Sequence, residues 1–326
     1  MDGLPLYVEE TLSVGDTAGD GEPIVLLHGF TGSTATWEAQ REALARLGPV
    51  IAVDLVGHGR SGAPAGVDRY RMERCVADLL TLFDRLGLRR LRLVGYSMGG
   101  RVALHVALAA PERIGALVLE SASPGIADPA ARAERRRQDE ALAARIEREG
   151  IEAFVRYWES LPLFATQRHL PEGVRERLRA QRLANRPHGL ANSLRGMGAG
   201  AQEPLWARLP ELHLPVLLVV GELDARYVGI AQEMVGLLPA ARLAVVPGAG
   251  HTVHLERPAD FNRVVTAFLA SPAEPARGRE RPGGGGGGTG ELPARGGDAA
   301  RWAGGHTARR AGGHAGHGAR DGAGSS

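Results

Sequence analysis

Six short runs of almost unbroken apolar residues constrain this chain more than any other feature: EPIVLLHG, GPVIAVDL, LRLVGY, IGALVLES, LPVLLVVG and ARLAVVPG. A strand buried on one face alternates apolar and polar residues, whereas a continuous apolar run fits a strand covered on both faces. Amphipathic segments separate several of them, among them Arg71 to Leu86 and Arg101 to Ala109. Strand alternating with helix predicts an α/β fold with a mostly parallel central sheet flanked by helices.

The alternation stops between residues 125 and 209. This region is rich in Ala, Arg, Glu and Leu, and ARAERRRQDEALAARIEREG, IEAFVRYWESL and EGVRERLRAQRLAN have helical patterns. It is too long for a plain loop and reads as an inserted helical cap. The chain then divides into a core (1–124), the cap (125–209), the rest of the core (210–270) and a tail (271–326). The tail holds 18 of the 46 glycines, including GGGGGG. It has too little apolar surface to offset the entropy of ordering, so disorder is expected. Its His306, His314 and His317 are read as solvated rather than as metal ligands.

Every basic residue is Arg. The net charge of +2 is not a basic surface, because eight of the 39 arginines and five of the 37 acidic residues lie from Ser271 onward. The body therefore carries 31 basic against 32 acidic residues, a balance that argues against nucleic acid as a partner. The single Cys75 sits in a helical stretch, is read as core packing, and fits a reducing compartment. MDGLPLYVEE has neither the basic nor the apolar part of a secretion signal, and no segment has the apolar length of a membrane span. A cytoplasmic protein is expected; monomer and homo-oligomer are both open.

One motif carries chemistry. GYSMG (Gly95 to Gly99) is a G-x-S-x-G pattern that follows an apolar run and opens a helical one, the context in which a serine projects from a tight strand-to-helix turn. A nucleophilic serine needs a base and an acid to orient it. Asp224 follows the run LPVLLVVG and His251 follows ARLAVVPG, so all three residues lie beyond strand ends at one edge of the sheet. Glu222 and His254 are the alternatives for acid and base. Backbone N–H groups of Phe30 and Met98 are placed to stabilise an oxyanion. His28 and His58 are read as turn residues with local hydrogen bonds.

HGF, DLVGHGRS, GYSMGG, GELD and GAGH together resemble the α/β-hydrolase superfamily, from about Leu4 to Ala270. That resemblance implies the fold and not the reaction. Arg101 lies one helical turn past Ser97, where a plain hydrolase would be expected to be apolar. Arg135, Arg136, Arg137 and Arg182 in the cap add further planar guanidinium forks suited to carboxylates. Several arginines near Ser97 point to a small polycarboxylate substrate. Longer stretches (LHGFTGSTATWE, GYSMGGRVAL, LESASPGI, ERRRQDEALA, FVRYWESLPLF, LRAQRLAN and GAGHTVHLERP) are similar to the 2-succinyl-6-hydroxy-2,4-cyclohexadiene-1-carboxylate synthases of menaquinone biosynthesis. The resemblance implies a 2,5-elimination of pyruvate without metal or organic cofactor. It puts the triad on Ser97, Asp224 and His251, the oxyanion donors on Phe30 and Met98, and substrate contacts on Tyr96, Arg101, Arg135, Trp158 and Arg182. A register shift within Arg135 to Arg137 is possible, and the Gly-rich tail has no counterpart in the family pattern. Trp158 could equally be cap core, Trp37 is read as core, and the Tyr96 hydroxyl as a donor to a carboxylate. Rival readings are a serine hydrolase of an acidic ester, a C–C hydrolase of a vinylogous diketone, and a non-enzymatic binding protein. Uptake of water into product separates hydrolysis from elimination.

Overall fold

The computed structural model describes residues 4–13 and 21–271, so the Gly-rich tail with its three histidines falls outside the described residues. One sheet contains β1 (Val8–Thr11), β2 (Ile24–Leu27), β3 (Val50–Val53), β4 (Leu91–Tyr96), β5 (Ile114–Glu120), β6 (Val216–Gly221) and β7 (Ala241–Val246). Their order is β1-β3-β2-β4-β5-β6-β7. Only β1 runs antiparallel to its neighbour.

All six apolar runs contain strands, and successive residues of the central ones feed opposite faces. Val25, Leu27, Leu93, Leu117 and Leu218 join one core cluster, while Ile24, Leu26, Val94, Val118 and Leu217 join another. The helices that cover these faces are α1 (Glu38–Ala45), α2 (Met72–Arg85) and α3 (Met98–Ala109), together with helices that follow the insertion. Two differences from the sequence reading have a common cause. β1 has no apolar run and was not expected, because an antiparallel edge strand is covered on one side only. β7 has the apolar run but is half-buried, with Val245 40% exposed, since it is the other edge of the sheet.

Between β5 and β6 the described residues form helices and no strand. These are α4 (Pro129–Glu159), α5 (Glu172–Leu183) and α6 (Pro187–Met197), with shorter 3-10 turns. α4 breaks at Gly150, whose φ of 77° is costly for any residue with a Cβ. Ala143, Ile146, Phe154, Val155, Leu190, Ala191 and Leu194 give this layer an apolar core of its own. α6 was not anticipated; seven of its eleven residues are buried, among them the polar Asn192 and Ser193. The described residues end with α7 (Ala225–Val235), α8 (Val253–Glu256) and α9 (Pro258–Ala270). Among the described residues no helix is long and apolar enough to cross a membrane.

Cys75 lies buried in α2, where loss of hydration pushes its thiol up to about 12. A thiol in that state has almost no thiolate at neutral pH and is inert. An aromatic disulfide reagent at pH 8 should therefore read no free thiol in the folded protein and one per chain in 6 M guanidinium. Rapid labelling of folded protein would contradict this placement.

Candidate active site

β4 ends at Tyr96 and α3 begins at Met98, so Ser97 alone makes the turn between them. Its backbone lies at φ 49°, ψ −109°, a strained region for a residue with a side chain. The turn can be this tight because glycines flank it. A Cβ on Gly95 would lie 2.5 Å from the Gly99 carbonyl oxygen, and one on Gly99 would overlap the Leu27 carbonyl oxygen. The Ser97 N–H is held by the Glu120 carbonyl at 2.8 Å. Met98, as the first residue of α3, has an N–H without an acceptor inside the helix.

Three side chains meet beside this turn. Ser97 Oγ is 3.1 Å from His251 Nε2, and His251 Nδ1 is 2.7 Å from Asp224 Oδ2. Asp224 caps α7 just past β6, and its other oxygen accepts the Tyr227 N–H at 3.4 Å. A carboxylate at Nδ1 holds the imidazole proton there and leaves Nε2 as an acceptor facing Ser97. The alternatives lie elsewhere. Glu222 is exposed and accepts the Gly248 N–H at 3.0 Å. His254 is buried with Nδ1 2.8 Å from Glu120 Oε2, and its ring is 4.8 Å from those of both Trp37 and Tyr96. Trp37 is fully buried core.

His28 and His58 each donate to a nearby carbonyl, and His28 also ties to the segment after β3. His28 Nδ1 donates to the Gly29 carbonyl at 2.8 Å and Nε2 accepts the Leu55 N–H at 3.0 Å, while His58 Nδ1 donates to the Val56 carbonyl at 3.0 Å. Burial pushes His28 down to about 4 and His58, also repelled by His28, down to about 3.

A cavity of about 950 Å³ opens over Ser97, lined by Phe30, Tyr96, Met98, His251 and Trp158. Arg101, Arg135 and Arg182 also line it. Arg101 donates through Nη1 to the Met197 carbonyl at 2.8 Å and to Gln202 Oε1 at 2.9 Å. Among the described residues no carboxylate pairs with it, and burial pushes its guanidinium down to about 10. Arg135 donates to the buried Asp139 at 2.7 Å. Burial opposes its charge, but Asp139 more than offsets this and raises its pKa. Arg136 and Arg137 are exposed and bond to the Gly200 carbonyl and Glu134, so Arg135 is the member of the run at the cavity. Arg182, buried at 5% exposure, bonds to Glu159 at 3.3 Å and Gln167 at 2.9 Å, and its Nε has no partner among the described residues. Burial is the main cause of its lowered pKa.

Trp158 is both wall and packing, with its ring 5.3 Å from those of Phe30 and Phe164. The Tyr96 hydroxyl is 3.0 Å from Thr252 Oγ1 rather than standing free in the cavity. Among the lining residues that were not anticipated are Gln167, Thr252 and Tyr227, whose ring is 4.7 Å from His251. Thr252 follows His251 and Tyr227 lies three positions past Asp224, which is a usable signal; Gln167 comes from a 3-10 turn and gave none.

Geometry and comparison agree on kinship. Residues 22–258 match the model of the α/β-hydrolase fold family, to which the chain belongs. Within it, the chain is 49% identical over 252 residues to a Bacillus subtilis (strain 168) protein provisionally named 2-succinyl-6-hydroxy-2,4-cyclohexadiene-1-carboxylate synthase, covering 77% of this chain and 91% of that one. It is 34% identical over 257 residues to the synthase of that name from Klebsiella pneumoniae, with coverage of 78% and 97%. The structure of MenH from S. aureus superposes with a TM-score of 0.77 at 35% identity, covering 81% of this chain and 97% of that one. The chain is a member of this synthase family.

His28 and His58, both fully buried with lowered pKa values, predict a pH dependence of stability. Their folded pKa values lie below the ordinary 6.5, so the unfolded chain takes up protons that the folded chain refuses. Their contribution is complete above pH 6.5 and is lost as pH falls toward 4. Urea midpoints should decline from pH 6.5 to 5, and the double variant His28→Gln/His58→Gln should decline less steeply; equal slopes would remove the histidines as the cause.

Proposed function

We propose that Ser97, His251 and Asp224 form a catalytic triad that eliminates pyruvate from 2-succinyl-5-enolpyruvyl-6-hydroxy-3-cyclohexene-1-carboxylate, under a cap formed by residues 125–209. The observation that carries the reading is the convergence of the hydrogen-bonded Ser97–His251–Asp224 chain with three arginines on one cavity. The substrate has three carboxylates, and a guanidinium is the side chain best shaped to hold one. The names of the relatives favour elimination over hydrolysis. The single cysteine, free and buried, suits a reducing compartment, and we place the enzyme in the cytoplasm.

His251 accepts the Ser97 proton while Asp224 holds the imidazole and balances its charge. Ser97 then removes the ring proton at C2, next to the succinyl carbonyl. The electron pair first spreads onto the carbonyl oxygen, where the N–H groups of Phe30 and Met98 stabilise it. It then forms the C2–C3 double bond, the ring double bond shifts to C4–C5, and the C5–O bond breaks. The enolpyruvate takes a proton and becomes pyruvate, leaving the 2,4-diene. Arg101, Arg135, Arg182 and Trp158 fix the anion so that the C2 proton meets Ser97, which removes orientational entropy from the barrier.

The test is pyruvate release from substrate made in situ by the preceding enzyme, read as the Ser97-dependent excess over spontaneous breakdown. Ser97→Ala should lower turnover at least about a thousandfold; a variant with wild-type turnover would end the triad assignment. Arg101→Ala should lower kcat/KM by about tenfold to a hundredfold, with Arg101→Lys only partly restoring it because the fork is lost. Unchanged kinetics in Arg101→Ala would remove it from substrate binding.

A further inference from the structure

A continuous line of hydrogen bonds runs along the cavity wall from the cap to the residue before Ser97. Arg182 Nη2 donates to Gln167 Oε1 at 2.9 Å, Gln167 Nε2 donates to Thr252 Oγ1 at 2.9 Å, and Thr252 Oγ1 lies 3.0 Å from the Tyr96 hydroxyl. All four side chains are buried, with Gln167 at 7% and Thr252 at 4% exposure. The line has a direction. A guanidinium only donates, so it fixes the Gln167 amide with its oxygen toward Arg182 and its NH2 toward Thr252. Thr252 Oγ1 is thereby an acceptor from Gln167, and among the described residues Tyr96 is the only other partner of its hydroxyl. If Thr252 donates onward to the Tyr96 oxygen, the Tyr96 proton is released toward the cavity that Tyr96 lines.

We propose that Gln167 and Thr252 are positioning residues that turn the Tyr96 hydroxyl into a hydrogen-bond donor for a carboxylate of the bound substrate. This rests on the polycarboxylate reading above. Burial holds the Tyr96 phenol well above its usual range, so its proton stays available for donation. The same line makes Arg182 act twice, as a charge beside the cavity and as the group that sets the direction of the chain. Donation from a neutral hydroxyl also explains how a buried tyrosine with a bonded oxygen can still recognise an anion.

The test uses the full-length protein and a stable aromatic probe, 2-succinylbenzoate, which carries a ring carboxylate and a succinyl carboxylate and cannot eliminate. Thr252→Val, Tyr96→Phe and Gln167→Glu should each raise its Kd about tenfold, the effect of losing one hydrogen bond to a charged group. Thr252→Ser, which keeps the hydroxyl, should stay within about twofold of wild type. In Gln167→Glu the carboxylate still pairs with Arg182 but accepts from Thr252, so the direction reverses and the Tyr96 proton turns inward. The double variant Thr252→Val/Tyr96→Phe should bind no more weakly than Tyr96→Phe alone. With substrate, the losses should fall on KM more than on kcat. Additive losses in the double variant, wild-type affinity in Thr252→Val, or no binding by the wild-type protein would each overturn the proposal. Absence of Ser97-dependent pyruvate release with the Kd pattern intact would remove the lyase reading and leave the positioning chain standing.

Discussion

The contact between α3 and the sheet at Gly95, Gly99 and Gly100 is the constraint on which the rest of the site depends. Cβ atoms at these positions would collide with the Gly99 and Leu27 carbonyl oxygens and with Ala122. Because all three are absent, the helix axis comes close enough for Ser97 to turn the chain by itself. That turn sets the strained φ of Ser97, aims its hydroxyl off the sheet edge and presents the start of α3 to whatever binds there. The strain persists because the flanking strand and helix are packed on both sides and the Ser97 N–H is bonded to Glu120.

The electrostatics of the cavity are graded. Arg182 and Arg135 have carboxylate partners in Glu159 and Asp139, whereas Arg101 bonds only to neutral carbonyl oxygens. A half-buried cation with neutral partners carries a desolvation cost, and an anion of matching geometry offsets that cost on binding. Of the three arginines, the one nearest Ser97 in sequence is thus the one without a carboxylate partner among the described residues. The helical layer is docked by hydrogen bonds to the same loops that build the site. Asn185 donates to the Thr31 carbonyl at 2.9 Å and accepts the Gly59 N–H at 3.0 Å. Phe30 is wedged against His58, Phe154 and Trp158. Movement of that layer would disturb the Phe30 N–H as well as the arginines.

Much of this was legible in the chain because the relevant physics is local. A parallel strand buried on both faces is apolar along most of its length, a serine turn this tight carries glycines, and Asp224 and His251 follow strands and so reach one edge. The reading failed where burial depends on neighbours. β1 and β7 are edges, and the sequence of an edge strand does not say which side is open. α6 buries polar Asn192 and Ser193 with its apolar residues, so its polar positions do not mark the side that faces water. Gln167 lies in an irregular turn whose path only packing decides.

The sequence by itself determined the α/β architecture, the serine turn with an Asp and a His beyond later strands, and an arginine-rich composition suited to carboxylates. Tertiary structure decided which arginine of the run from Arg135 to Arg137 reaches the cavity, that Glu222 and His254 are occupied elsewhere, and that Tyr96 is bonded through Thr252 and Gln167 to Arg182. The physical reason is range. Strand patterning and turn geometry are set by residues a few positions apart, whereas hydrogen-bond partners separated by 156 positions meet only once the sheet is assembled, and those separated by 85 only once the insertion has folded back over it.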